Sequence, residues 1–502
     1  MSVTEAVTPP GSPEMSDRAR WIALVVLCVG MLMIVLDQTI VNVALPSIQR
    51  DLKFSTSNLA WVVNAYLIAF GGLLLLAGRL GDLVGRKRMF LLGLGIFTAA
   101  SAACGFAQSQ ALLVGARFVQ GAGGAMTSSV ILGVIVTMFP KPRELAKAMG
   151  VFSFVASGGA SIGLLAGGVL TQALSWHWIF FVNLPIGVVT TLLAVRVVSA
   201  DAGIGLRAGA DIPGATLVTG TLMLAVYTIV KTTQYGWGSA HTLVLGTVTV
   251  ALLAAFVVRE ARAATPLIPL RIFRSRAVSG ANAVQALMVA GIFGMFFLGA
   301  VYMQRVLGYD PLQVGLAFLP VAVSIGAFSL LVAPRLNMSI GPRATLLPGL
   351  VLMAAGLLLF ATAPVYAGYL TRLLPVMLLL GIGAGLSFPS LMTIAMSGAT
   401  PSEAGLASGL VNTSMQVGGA LGLAVLATLS SSRAKDVLAT GGTSSAALAG
   451  GLHLALAIGA GLVITAIVIG TVVLTPARAR TGLNQAEVVA AVEAEELYSE
   501  AA

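Results

Sequence analysis

One carboxylate lies inside an otherwise apolar stretch of this sequence. Asp37 falls in a run that begins at Trp21 and extends to about residue 45. A carboxylate within a lipid bilayer is costly unless it is protonated, paired or open to water. Burial favours its protonated form, and a nearby cation favours its ionised form. We therefore predict that Asp37 exchanges a proton for a cationic partner. The alternative is a local pair near the outer end of the run.

Other polar residues stand in apolar runs as well. Arg117 lies near the start of one run, where it either snorkels to the membrane edge or donates to backbone carbonyls that fix helix packing. Asn42 and Gln120 are candidates to line a cavity, although such amides more often form interhelical hydrogen bonds. Asn412 and Gln416 are four residues apart and share one helix face, so we add them as candidate cavity residues.

The sequence lacks the motifs of enzymes and metal sites. The two cysteines read as small buried hydrophobic residues, and the three histidines are far apart: Cys28, Cys104, His177, His241 and His453. No Walker loop, Ser/His/Asp signature or paired-carboxylate motif is present. We therefore expect no metal, no cofactor and no enzymatic activity.

Composition indicates which elements must position these polar residues. Of the 502 residues, 58% are hydrophobic and only 9% are charged, against roughly a quarter charged in soluble domains. This excludes an ordinary soluble enzyme and favours an all-α polytopic membrane protein. The net charge of +10 does not indicate nucleic-acid binding, because the basic residues stand between apolar runs.

Fourteen runs are long enough to cross a bilayer as helices. Their approximate positions are 21–45, 57–78, 89–107, 111–139, 147–171, 177–198, 213–231, 241–259, 277–304, 312–333, 344–366, 371–398, 405–430 and 450–475. The predicted loops on the side of both termini hold 20 of the 28 Lys and Arg residues, against 7 on the other side. Because basic loops stay in the cytoplasm, both termini are predicted to be cytoplasmic.

The chain also contains an internal repeat. Glycine and basic positions of spans 2–5 recur in spans 10–13 at offsets of 256 to 260 residues. Duplicated halves are a transporter architecture. We therefore predict six-helix bundles at 18–199 and 277–476, with two inserted helices and their cytoplasmic linkers at 200–276. Residues 1–17 are expected to be disordered, residues 477–502 to form a cytoplasmic tail, and the first span to remain uncleaved.

Four segments carry motifs in the same order as those of a known family. They are residues 36–46 (LDQTIVNVALP), 78–88 (GRLGDLVGRKR), 117–125 (RFVQGAGGA) and 176–187, which include WHWIF and NLPIG. They resemble the first-helix signature, the hallmark loop, the span-4 arginine motif and the start of span 6 in the major facilitator superfamily. Within that superfamily, the chain is most similar to the fourteen-helix drug:proton antiporters.

The resemblance implies roles for several residues. Asp37 and Arg117 would couple protons to substrate, since the span-4 arginine is implicated in proton coupling in this family. The hallmark loop would form a cytoplasmic gate, although its basic residues are also a topology signal. The gate residues are Gly78, Asp82, Gly85, Arg86 and Arg88, and the span-4 motif includes Gln120 and Gly121.

Span 5 departs from the antiporter signature at one position. Leu164 stands where the family usually has proline, so the bend that a proline would impose is not expected. The motif glycines remain and allow a close helix–helix contact. They are Gly159, Gly163, Gly167 and Gly168.

Together these features predict a proton-coupled exporter of amphipathic drugs in a bacterial cytoplasmic membrane. Its partners would be the lipid bilayer, protons and a small-molecule substrate, and it would work as a monomer without nucleic acid. An exporter of a lipid or endogenous metabolite is the alternative with the same fold. An integral-membrane enzyme or a sensor is less favoured, because no catalytic cluster or signalling domain is evident.

Overall fold

The protein is a bundle of long helices joined by short connections. The computed structural model describes residues 17–139, 141–199, 201, 203–205, 209–398 and 404–474. The helices that lead to the middle of the chain are α1 (Asp17–Asp51), α2 (Thr56–Val84), α3 (Arg86–Gly105), α4 (Gln110–Met138), α5 (Pro142–Ala173), α6 (Trp178–Phe181), α7 (Asn183–Val197), α8 (Ile212–Tyr235) and α9 (Ala240–Arg262).

A short 3₁₀ turn (Leu270–Arg274) leads into the second set of helices. They are α10 (Arg276–Arg305), α11 (Pro311–Ala327), α12 (Ala333–Ser339), α13 (Pro342–Ala361), α14 (Leu374–Ser397), α15 (Ala404–Ala439) and α16 (Ser444–Val472). A π-helical turn (Phe328–Val332) joins α11 to α12, and a second one (Tyr369–Leu373) precedes α14. No strand occurs in the described ranges.

The predicted polytopic helical fold is confirmed. Within the described residues, thirteen helical segments are long and apolar enough to cross a membrane. Helix α5 is a further helix of 32 residues at the position of the predicted fifth span. At 1.5 Å per residue it is also longer than the roughly 30 Å hydrocarbon core of a bilayer.

The ends of the chain are only partly described. Asp17 was predicted to belong to a disordered segment, but it lies in the first turn of α1. The prediction for residues 1–16 concerns positions outside the described residues, and so does the prediction of a cytoplasmic tail at 477–502. Helix α1 continues to Asp51, well beyond the predicted end near residue 45.

Polar residues start the helices where the sequence changes from connection to apolar run. The Ser109 hydroxyl accepts from the Leu112 N–H at 3.2 Å at the start of α4. At α11, Asp310 and Gln313 form a reciprocal capping box. These contacts satisfy N–H groups that the first helical turn leaves without partners.

The helices pack as two groups that meet along a few pairs. In the first group, α1 packs on α5, and α4 packs on α2 and α3. In the second, α10 packs on α15 and α16, and α13 packs on α14 and α16. The groups meet where α1 contacts α10, α2 contacts α15, and α5 contacts α11.

Helix α8 lies against both groups. It packs on α2 and on α15, and α9 packs on α8. Gly72 of α2 faces Thr219 of α8, since a Cβ on that glycine would lie 2.6 Å from the Thr219 hydroxyl oxygen. At the other end of α8, Lys435 of α15 donates from Nζ to the carbonyl oxygen of Thr233 at 3.1 Å.

Candidate functional site

A buried polar network centres on Asp37 in α1. Met33, Ile40 and Ala44 are fully buried, and they share a helix face with Asp37 because they are four, three and seven residues away from it. The face packs inside the first group of helices, so the carboxylate is itself 0% exposed. Asp37 therefore lies inside the helix bundle and not on its surface.

Three donors surround the Asp37 carboxylate. Arg117 contacts Oδ2 through one terminal guanidinium nitrogen at 2.5 Å. On Oδ1, the side-chain amides of Gln120 and Asn183 donate at 2.8 Å and 3.2 Å. The carboxylate is thus both charge-compensated and hydrogen-bonded, which is the condition under which a buried charge is tolerated.

Arg117 is buried inside the first group of helices and does not reach the membrane edge. It is 1% exposed, its Nε donates to the Val62 carbonyl at 3.0 Å, and a terminal nitrogen donates to Gln120 Oε1 at 2.6 Å. The guanidinium carbon also lies 4.4 Å from the centre of the Tyr66 ring, in cation–π geometry. The snorkelling alternative is wrong, because helices α1 and α2 supply partners for this side chain.

The network extends to α3 through Ser101. Gln120 Nε2 lies 2.7 Å from the Ser101 hydroxyl oxygen, and Asn183 Nδ2 lies 3.5 Å from it. Helices α1, α3, α4 and α7 therefore share one hydrogen-bonded cluster. The Asn183 Oδ1 atom is buried and has no hydrogen-bond partner in the structure as described.

Sequence reasoning did not select Ser101, Tyr66 or Asn183 as site residues. Asn183 was visible only as part of the motif at the start of span 6. The sequence feature that could have identified it is a polar amide inside an apolar stretch, in a motif that follows those of Asp37 and Arg117 along the chain.

The other predicted cavity amides lie outside this network. Asn42 donates to the Gln38 carbonyl of its own helix at 3.1 Å, and Asn412 donates to the Ser408 carbonyl at 3.2 Å. Gln416 is buried where α15 meets α2, and its Oε1 has no partner among the described residues. Only Gln416 of the three thus lies buried in the contact between the two groups.

In the hallmark loop, Asp82 and Arg86 pair with each other at 3.1 Å. Arg86 also donates to the Gly133 carbonyl of α4 at 3.1 Å. Arg88 is exposed, and Gly78 lies close to α4, since a Cβ on it would be 3.8 Å from the Ser129 Cβ. The described ion pair of Asp82 is therefore local to the first group of helices.

A residue from the connection after α7 completes the hallmark loop. Asp201 accepts from the backbone N–H groups of Arg86 and Lys87 at 2.8 Å and 3.1 Å, and so caps the start of α3. Gly85 precedes that helix with φ of +102°, a conformation that favours glycine. Sequence reasoning missed Asp201, which is 115 residues from Arg86 along the chain.

The motif glycines lie at close helix–helix contacts. A Cβ on Gly121 of α4 would lie 3.0 Å from the Tyr66 Cα of α2. On α5, Gly159, Gly163 and Gly167 face α1, whereas Gly168 faces the start of α11 in the second group. Leu164 is buried, and its carbonyl oxygen lies beside Gly315 of α11.

The architecture and the buried ion pair indicate the class of this protein. Two groups of long helices, one of which contains a charge-compensated, buried acid, are typical of a membrane transporter. Among the described residues, no group of three or more His, Cys, Asp or Glu side chains is placed to hold a metal ion.

A family model described as Major Facilitator Superfamily matches residues 27–423. The chain belongs to this superfamily of transporters, and it is not an enzyme. It is 40% identical over 440 residues to the puromycin resistance protein pur8 of Streptomyces alboniger, with 87% of this chain and 86% of that one covered. It is 39% identical to the cephamycin export protein CmcT of Amycolatopsis lactamdurans, with 82% and 85% covered.

Further similarities agree with the family. The multidrug resistance protein Stp of Mycobacterium tuberculosis is 34% identical over 410 residues, with 82% of this chain and 76% of that one covered. Among solved structures, a bacterial homolog of the human lysosomal transporter Spinster, inward-facing and unoccupied, matches with a TM-score of 0.67 at 16% identity. That match covers 91% of this chain and 98% of the other, and it concerns the fold alone.

Proposed function

We propose that this protein is a proton-coupled exporter of amphipathic small molecules, antibiotics among them, that works by alternating access. The observation that carries the proposal is the fully buried Asp37 carboxylate, paired with Arg117 and surrounded by amide groups. Relatives at 34–40% identity whose names state drug resistance or export support the cargo class.

The network is suited to taking up and releasing one proton. When Asp37 is protonated, Arg117 loses its ionic partner but keeps Gln120 Oε1, the Val62 carbonyl and the Tyr66 ring. A protonated carboxyl group needs an acceptor for its new O–H. Rotation of the Asn183 amide would present Oδ1, which is otherwise without a partner. Both protonation states thus have a hydrogen-bonded arrangement of the same side chains.

Protonation would act on helix packing, because the network joins α1, α3, α4 and α7. We assign these helices to the first bundle, 18–199, and the second bundle to 277–476, with 200–276 as the insert. The bundles touch at the end where α1 finishes: Gln304 Nε2 donates to the Val43 carbonyl at 2.9 Å, and the Leu312 N–H donates to Gln172 at 3.3 Å. Breaking these contacts would open that end.

We place the protein in the cytoplasmic membrane of a bacterial cell, where it works as a monomer. Both of its termini lie in the cytoplasm. The surplus of basic residues in the loops on that side supports this orientation. The hallmark loop then lies on the cytoplasmic face, and its contacts with the start of α3 and with α4 are those we assign to the gate. The end held by Gln304 and Gln172 is then external.

The expected cargo is neutral or weakly cationic. The charge of Asp37 is already matched by Arg117, so a multivalent cation would find no free carboxylate in this network. One proton moving inward supplies about 2.3 kcal/mol per 100 mV of membrane potential and about 1.36 kcal/mol per pH unit. Either term alone is enough for a concentration ratio of tenfold or more.

The test is drug accumulation in a host without its own efflux pumps. Cells producing the wild-type protein should accumulate less puromycin than empty cells, and a protonophore should abolish the difference. Asp37→Asn should export nothing although its membrane level is normal. Asp436→Asn, which removes an exposed acid at the end of α15, should export like wild type.

Two outcomes would contradict the proposal. Normal export by Asp37→Asn, together with no effect of the protonophore, would exclude proton coupling through this carboxylate. If a panel of amphipathic antibiotics gave no difference between producing and empty cells, the drug cargo would be wrong and an endogenous lipid or metabolite would replace it.

A further inference from the structure

Two acidic residues are buried at the base of the inserted α8–α9 hairpin. Asp211 caps the start of α8, and Glu260 lies in the last turn of α9. They are 2% and 3% exposed. The predicted spans 213–231 and 241–259 placed both residues just outside the membrane. The described structure therefore buries these two acids as well as Asp37, and the connection that follows α9 contacts Glu260 through the Ile268 N–H.

Each of these carboxyl groups accepts its described hydrogen bonds through only one of its two oxygens. Asp211 Oδ1 accepts from the Gly214 N–H and from Arg259 Nε, both at 3.0 Å. Glu260 Oε2 accepts from the Ile268 N–H at 2.9 Å. The second oxygens, Asp211 Oδ2 and Glu260 Oε1, are buried and have no hydrogen-bond partner in the described structure.

The two free oxygens border the same small space. A Cβ built on Gly214 would lie 2.5 Å from Asp211 Oδ2 and 2.8 Å from Glu260 Oε1. Because both oxygens lie close to one point, they border the same space beside the backbone of α8. The absence of a side chain at Gly214 keeps this space open.

Among the described ion pairs, only one of these two acids has a cationic partner. Arg259 forms an ion pair with Asp211 at 3.0 Å. Arg79 of α2 donates from Nε to the carbonyl oxygen of Gly209 at 3.2 Å, close to Asp211 along the chain. Glu260 has no ion pair among the described contacts. With both acids ionised, two buried oxygens at one space would carry negative charge without a described hydrogen-bond donor.

We propose that Asp211 and Glu260 form a proton-binding site, in which one proton is held between Asp211 Oδ2 and Glu260 Oε1. Asp211 is the acid that forms the ion pair with Arg259, so Glu260 carries the proton and donates it. The single proton removes one buried charge and gives both free oxygens a partner. This site is separate from the Asp37 network and does not depend on the proposed transport activity.

The proton would hold three segments together. Asp211 belongs to the start of α8, Glu260 to the end of α9, and Ile268 to the connection that leads to α10. Leu76 of α2 and Leu267 pack in the same small apolar cluster. Loss of the proton should therefore loosen the hairpin base from α2 and from the connection to the second bundle.

The test compares Glu260→Gln with Glu260→Ala in the full-length purified protein. Glutamine resembles protonated glutamate, since its amide can donate to Asp211 Oδ2 while its carbonyl accepts from Ile268. Between about pH 5 and about pH 9, above the usual glutamate pKa, the wild-type melting temperature should fall by several degrees relative to that of Glu260→Gln. Glu260→Ala should melt below both at the acidic end.

Infrared spectroscopy and a control variant complete the test. The carbonyl stretch of a protonated carboxylic acid should be present in the wild-type spectrum near neutral pH and weaker in Glu260→Gln. Glu144→Gln removes an acid that is part of a salt bridge at the start of α5, so it should leave that band unchanged. A Glu260→Gln protein as unstable as Glu260→Ala, or melting that depends on Na⁺ or Ca²⁺ instead of pH, would overturn the proposal.

Discussion

The Asp37–Arg117 pair should show strong thermodynamic coupling in a double-mutant cycle. Removing one partner of a buried ion pair costs about 3–5 kcal/mol. In Asp37→Asn the guanidinium stays charged, because arginine does not release its proton in proteins. The Tyr66 ring at 4.4 Å offsets about 2 kcal/mol of that cost. The expected loss of unfolding free energy is therefore about 1–3 kcal/mol.

The partner variant and the double variant determine the coupling. In Arg117→Gln, Asp37 keeps the amide donors of Gln120 and Asn183, and a proton can neutralise it, so we expect a loss of about 2 kcal/mol. The double variant contains only neutral hydrogen-bonding groups and should lose about 2 kcal/mol in total. The sum of the two single-variant losses then exceeds the loss in the double variant by about 2 kcal/mol, which is the expected coupling energy.

The assay is reversible unfolding in mixed micelles titrated with SDS, followed by tryptophan fluorescence. The Asp82–Arg86 pair is the control, because its side chains are 45% and 32% exposed and such pairs couple by about 0.5 kcal/mol. If the Asp37–Arg117 coupling is no larger than that of the control, the pair is not desolvated and our reasoning about the network is refuted.

Three further substitutions test the surrounding structure by the same unfolding assay. Gly214→Ala should destabilise the protein even though alanine usually favours a helix by about 1 kcal/mol, because its Cβ would meet two carboxyl oxygens; a gain in stability would show that the space is larger than described. Asp201→Ala removes the cap on the Arg86 N–H and should cost about 1 kcal/mol, whereas an unchanged midpoint would mean that water replaces the cap. Gly167→Val places a Cβ 2.7 Å from the Ile40 carbonyl and should cost about 1–3 kcal/mol; wild-type stability would mean that α1 and α5 separate without penalty.

Much of the fold was predictable because each span is an apolar run of defined length. The same property made Asp37 stand out, since a lone acid in such a run is easily seen. The depth of Arg117 was not predictable. A position near the start of a run reads as the membrane edge, and only the packing of α1 and α2 around it shows that it is buried.

Contacts between distant helices explain the remaining misses. Asn183 lies 146 residues from Asp37, and Asp201 lies 115 residues from Arg86. Local sequence patterns do not show contacts between residues that are so far apart along the chain. The acids of the hairpin base were missed for another reason: Asp211 and Glu260 lie at the ends of apolar runs, where charged residues are ordinarily solvated, and a covering connection cannot be inferred from composition.

The inserted hairpin also makes the two flanks of the contact between the helix groups unequal. Helix α8 lies along the α2–α15 contact, and α9 packs outside it. On the opposite flank, no helix in the described part of the chain covers the α5–α11 contact in the same way. One of the two flanks along which the helix groups meet is therefore covered by an inserted helix, and the other is not covered by a described helix. The two additional helices make the lipid-facing surface of this transporter asymmetric.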